Sequence, residues 1–282
     1  MKVRNTWSNI KIIKTRAKRG EGTSAPSPEE IKVYEKFFKI AIGNKKNTRT
    51  LVLGATPELR DLAIKHGSET IGVDSSPKLL SLLTNVMHYK DSKKNVSVLG
   101  NWLEMHKSLE LNSFDVVMGD ASFNNVPVKK WRDLFRIVNR LLKKDGYLIT
   151  RHIIYDYPLK KIRSCEEFVK EFKRKKCTIL GLVLKFGMYT KFAKRQYNQK
   201  TKVFDWSFLA EVEEPVGKML SGKAKADFIN IVTHAKSMIS YMSSEKHFKS
   251  KIKDYFLIKD TNRIKKVHHS DILPIYFLKV KK

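Results

Sequence analysis

The chain has 282 residues, 41% of them hydrophobic and 30% charged, and its 57 Lys and Arg against 28 Asp and Glu give a formal net charge of +29. That length supports one substantial core with a smaller cap or second domain, while the longest apolar run, ILGLVL from Ile179 to Leu184, is far below the ~20 residues that cross a bilayer. No apolar segment follows the basic start, so secretion is not expected and a cytoplasmic protein is.

In chain order, residues 1–27 form a basic N-terminal arm; an organellar presequence shares that charge, but serine is sparse. A helix then starts where Ser27 can cap, Pro28 suits the first turn and Glu30 completes an S-x-x-E box, with Ile31, Tyr34, Phe38 and Ala41 at helical spacing. From Thr50 the run TLVLGA reads as a strand. Thr56, Pro57 and Glu58 open the next helix, which reaches about His66. TIGVD repeats the unit as a strand ending at Asp74, followed by a helix capped at Ser76, with Pro77 in its first turn and Leu79, Leu80, Leu83 and Met87 on one face. NVSVLGNWLEM supplies a third strand and a polar turn, and FDVVMGDASF a fourth strand that ends at Asp120. Val128, Trp131, Leu134, Phe135, Val138, Leu141 and Leu142 trace the stripe of a long helix that Asp145 and Gly146 terminate before a fifth strand.

After about Tyr155 the alternation stops. A mainly helical stretch follows, then DYFLIKD and DILPIYFLKVKK read as two β segments. The expected architecture is α/β: a doubly wound, mostly parallel sheet with a helical insertion before a terminal β pair. Its divisions are an arm (1–27), a Rossmann-like core (28–155), a helical cap (156–251) and the β pair (252–282).

In such sheets ligands sit beyond the carboxyl ends of the strands, so the turns after them carry the chemistry. A dinucleotide site is disfavoured. Its G-x-G-x-x-G turn needs a second glycine beside the pyrophosphate, and here Gly54 is followed by Ala55 and Thr56. S-adenosylmethionine (SAM) removes that conflict, because it carries adenosine without phosphate. It needs room at the first turn, an acid at the second strand end and polar and flat groups at the third: Gly54, Asp74, then Asn101 and Trp102.

The motifs LVLGATPELRDLA, GVDSSPKLL, LGNWLEM and FDVVMGDASF resemble the successive motifs of class I SAM-dependent methyltransferases, particularly a subgroup whose first motif reads LG-x-T-P-E-L-R. The resemblance covers roughly residues 50–152. It implies that Gly54, Ala55 and Thr56 pass beneath the methionyl part, that Asp74, with Ser75 beside it, binds the ribose hydroxyls, and that Asn101 and Trp102 meet the adenine. It further implies Asp120 beside the methionyl amine and the transferable methyl, and Arg60 on the cofactor carboxylate, a role that competes with a helix-surface ion pair. The chain departs from the family in its glycine-poor first motif and in Asn101, where Asp is usual, which leaves a non-catalytic relative as the alternative.

The catalytic residues are open, with Asp120 and His152 as candidates. DASF lacks the prolines of the [DN]-P-P-[YF] motif of base-amine methyltransferases, and neither Cys165 nor Cys177 lies in a strand-end turn, which argues against a thiolate nucleophile. His268 and His269 lack further ligand partners, so no metal is expected. The acceptor is a small molecule or RNA. The positive charge is read either as a polyanion-binding surface or as compositional drift toward lysine; the oligomeric state is open.

Overall fold

The computed structural model describes residues 25–156, 162–174, 177–264 and 272–282. The basic arm, apart from residues 25–27, and the His268–His269 pair lie outside the described residues. Seven strands form one sheet in the order β3-β2-β1-β4-β5-β10-β9. They are β1 (Arg49–Leu53), β2 (Glu69–Asp74), β3 (Asn95–Leu99), β4 (Phe114–Asp120), β5 (Leu142–Arg151), β9 (Phe256–Asn262) and β10 (Ile275–Val280). The first five run parallel, and β10 pairs antiparallel with both β5 and β9. This is the doubly wound, mostly parallel sheet read from the strand and helix alternation, completed by the expected β pair.

Alternate strand residues face opposite layers, as the pleat requires. Val52, Val116, Met118, Ile149 and Phe277 pack against α1 (Pro28–Ile42) and α2 (Pro57–Lys65), while Leu51, Leu53, Val117, Leu148 and Leu278 pack against α4 (Trp131–Leu141) and α10 (Glu245–Ile252). The α1 cap forms as the sequence implies: Ser27 Oγ accepts from Glu30 N at 3.3 Å, and Ser27 N donates to Glu30 Oε2 at 2.7 Å. Ser76 likewise caps α3 (Pro77–Thr84) by accepting from Leu79 N at 3.2 Å, whereas the Thr56 side chain makes no capping bond to α2.

One helix end differs from its sequence reading. The stripe predicts a helix running to Asp145, but α4 stops at Leu141, because the preceding loop intercepts its last carbonyls: Asn112 N donates to Arg140 O at 2.9 Å and Ser113 N to Leu141 O at 3.0 Å. Leu142 then already pairs with Phe114, and the residues after it bulge before Tyr147 regains register opposite Val116.

Between β5 and β9 the chain builds a cap with its own core, centred on buried Phe168, Leu182, Phe186, Phe204, Trp206 and Phe208. Its helices are α5 (Cys165–Lys173), α6 (Ile179–Tyr189), α7 (Phe192–Gln196), α8 (Leu209–Met219) and α9 (Gly222–Ala235). The sequence reading omitted a three-stranded antiparallel sheet of β6 (Tyr197–Asn198), β7 (Val203–Asp205) and β8 (Ile239–Tyr241); strands of two or three residues are too short to show alternation. The cap hangs from the core through Asn124, which donates to Ile153 O at 3.1 Å and Tyr241 O at 2.9 Å and accepts from Ile153 N at 2.9 Å. Among the described residues, no helix is long and apolar enough to cross a membrane.

Candidate active site

At the carboxyl ends of β1, β2, β3 and β4 lies a cavity of about 570 Å³. Gly54, Ala55, Thr56, Asp74, Ser75, Asn101, Trp102 and Asp120, all candidates from the sequence, line it. Its opposite wall comes from the cap.

The first turn depends on Gly54, which has φ +108°, a conformation that side chains disfavour. A Cβ there would sit 3.7 Å from Trp102 Cζ2 and 3.8 Å from Asp74 Oδ2, between the acid and the indole. Gly54 N donates to Val73 O at 2.8 Å, and Trp102 Nε1 donates to the same carbonyl at 2.7 Å. The indole is thereby pinned beside the glycine turn, half-buried, as a wall of the cavity.

Asp74 is buried, and its Oδ1 accepts from Ser76 N at 2.9 Å. Burial raises its pKa, against the backbone amides of Ser76, Ala55 and Ser75, which stabilise the carboxylate. Ser76, and not Asp74, caps α3, so the acid stays on the cavity wall. Asn101 is exposed at the third turn, where its Oδ1 accepts from Leu103 N at 3.0 Å. That bond occupies one of the two lone pairs through which the family resemblance has Asn101 meet an adenine amine.

Asp120 belongs to a buried ionic network that the sequence did not reveal. Arg151 Nε donates to Asp120 Oδ1 and Arg151 Nη1 to Glu30 Oε1, each at 2.6 Å. Tyr34 OH donates to Gly119 O and accepts from Arg151 N, each at 2.8 Å. Burial opposes the charge on Arg151, but the carboxylates of Asp120 and Glu30 outweigh it and raise its pKa. Burial and the Asp120 charge keep Tyr34 a neutral phenol. Ser122 Oγ donates to Leu53 O at 2.8 Å and so ties the turn after β4 to the end of β1.

Two candidates fall outside the cavity wall. Arg60 is fully buried behind β2, where Nη1 donates to Thr84 Oγ1 at 2.9 Å and Nη2 to Ser97 Oγ at 2.8 Å and Asn95 Oδ1 at 2.5 Å. Its guanidinium, lowered to about 10 by burial, holds α2 and α3 to β3 instead of meeting a cofactor carboxylate or a surface acid. His152 is also fully buried: its ring stacks on Phe248 at 3.9 Å, meets Trp131 edge-on at 5.0 Å, and neither ring nitrogen has a hydrogen-bond partner. Burial lowers its pKa to about 3, so it is a neutral core residue and not a base for this cavity. Cys165 and Cys177 are free thiols; burial pushes Cys165 up to about 11 and raises Cys177.

A family model described as a methyltransferase domain matches residues 44–205, more than half of the chain, and the chain belongs to that family. No curated protein matches it. Among solved structures, a SAM-dependent methyltransferase from Methanosarcina mazei is similar at 16% identity over 86% of this chain and 96% of that one, with TM-score 0.51. The PH0226 protein of Pyrococcus horikoshii OT3 matches at 15% identity over 90% and 92%, with TM-score 0.53. A Rhodobacter sphaeroides protein described as a Zn-dependent alcohol dehydrogenase matches at 14% identity over 92% of both chains, with TM-score 0.56. At such identities the likenesses establish the α/β fold alone.

Proposed function

We propose that this methyltransferase-family chain uses SAM as its methyl donor and delivers the methyl to an acceptor held between the strand-end turns and the cap. The supporting observation is the convergence of Gly54, Asp74, Trp102 and Asp120, from four separate strand ends, on one cavity. The donor set fits an adenosyl group better than a pyrophosphate. The first turn has a single glycine, with Ala55 and Thr56 after it, and Asp74 brings an acceptor where ribose hydroxyls need one. Asp74 binds the ribose, Asn101 and Trp102 flank the base, and Gly54 leaves space beside the methionyl part.

Bound there, SAM supplies a methyl already activated on a sulfonium. The protein's own work is then to orient the acceptor and exclude water, since alignment alone removes several kcal/mol of barrier. The Arg151 network holds Asp120 in place at the turn, and apolar side chains of the cap line the opposite wall. Isothermal titration with SAM tests the reading. Binding should be saturable, and Asp74→Ala should weaken it about tenfold or more, the loss of hydrogen bonds to a charged group. Tighter binding of NAD than of SAM, or an Asp74→Ala affinity equal to wild type, would refute it.

A further inference from the structure

The composition of the cavity wall is opposite to that of the chain. Lys and Arg make up 57 of 282 residues, yet Arg151 is the sole cation among the described residues that line the cavity, and its guanidinium is already on Asp120 and Glu30. The half supplied by the cap is mainly apolar, with Leu180, Val183, Leu184, Trp206, Ile231 and Met238 outnumbering the polar Asn230, Ser240 and Tyr241. Trp206 is held in that wall twice: Nε1 donates to Ser240 Oγ at 3.0 Å, and Gly187 of α6 has no side chain where a Cβ would lie 2.7 Å from Trp206 Cζ3. A polyphosphate strand or a carboxylated metabolite entering this chamber would shed its hydration without meeting a free cation.

Among the described residues, the wall also lacks a side chain poised to take a proton. Asp74 takes backbone amide bonds, Asp120 is bound by Arg151, and burial raises the Tyr241 phenol. His152 does not line the wall.

We infer that the cap half of the cavity is an acceptor chamber for a small, uncharged, largely apolar molecule whose acceptor atom is a neutral amine nitrogen. This rests on the SAM reading above and narrows its acceptor. The nitrogen lone pair forms the new bond to the methyl carbon as the carbon–sulfur bond breaks with its electron pair remaining on sulfur. The proton shed by nitrogen leaves to water, so no protein base is required.

The test uses the full chain and a matched set of probes: aminonaphthalene, hydroxynaphthalene, naphthoate and a short single-stranded RNA. Calorimetry reads binding with and without SAM, and liquid chromatography reads methylated product. The expected results are binding of both neutral naphthalenes, methylation of the amine alone, and at least about tenfold weaker binding of naphthoate. Met238→Glu and, independently, Ala235→Glu, at a second residue that lines the cap half, should weaken aminonaphthalene about tenfold or more while SAM affinity stays within about twofold, which also reports that each variant is folded. The proposal is overturned if a protein that binds SAM ignores the neutral probes, if naphthoate or RNA enters as tightly, if both charged variants bind like wild type, or if the hydroxyl is methylated and the amine is not. Absence of SAM binding with aminonaphthalene still bound would count against the donor reading and leave the chamber standing.

Discussion

His152 sits at the end of β5, where a sequence reader looks for a base, yet its ring is buried with both nitrogens unpartnered. Because its pKa in the folded protein, about 3, lies below the 6.5 of an unperturbed histidine, the unfolded chain binds a proton first as the pH falls. The contribution is fully present above about pH 6.5 and is lost below it, by up to about 1.4 kcal/mol per pH unit toward pH 3. Urea titrations at pH 7 and pH 5 should show this loss in the wild type. His152→Phe should reduce it; an unchanged pH slope would mean that the ring is protonated in the folded state. Arg151 presents the opposite case, a buried charge held by two carboxylates. Arg151→Met removes the cation on which Asp120 and Glu30 converge, and the expected loss is about 3–5 kcal/mol of unfolding free energy. Asp120→Asn keeps the Glu30 pair and should cost clearly less. Equal losses would show that Glu30 does not share the load.

Several elements were legible in advance because each carried its own local signature. S-x-x-E at residues 27–30, Ser76 before Pro77 and the apolar stripe of α4 each act within one turn or one helix face. The sites of Asp74 and Asp120 were legible for a related reason, since a strand end is both a sequence feature and a place in the sheet. The Arg60 and Arg151 networks were not legible. Arg60 reaches Thr84 and Ser97, and Arg151 reaches Glu30, partners whose proximity arises only when helices pack on the sheet. Gly72 shows the same dependence. A Cβ at this β2 position would stand 3.0 Å from Arg60 Cδ and Nε, on a side chain that is fully buried and tied to Thr84 and Ser97. Gly72→Ala should therefore lower stability by about 1–3 kcal/mol, the usual cost of overpacking, as read by thermal unfolding. Gly67→Ala is not its control, because Gly67 has φ +82° and would report backbone strain instead.

For the whole molecule, charge and cavity separate. The net +29 resides outside a cavity whose only lining cation among the described residues, Arg151, is paired with Asp120 and Glu30, so the two should respond differently to salt. Any affinity for RNA or heparin is a surface property and should fall steeply, by about a hundredfold or more between 50 and 200 mM salt if several phosphates are contacted. Cofactor affinity should change little over the same range. Parallel loss of both would mean that the cavity draws on the surface field. Whether the surface charge serves a polyanionic partner is decided by the first measurement.

The position of β10 carries a last consequence, for assembly. It lies between β5 and β9, joining Ile275 to Arg151 on one side and to Asn262 on the other. A nascent chain emerging from a ribosome can join its five parallel strands, but β9 has no place to dock until residues 275–280 arrive to bridge it. The last step of sheet formation is thus the docking of β10, with β9 paired to it, onto β5 across a long sequence separation, a slow closure that leaves the β5 edge open to pairing with other chains until it occurs.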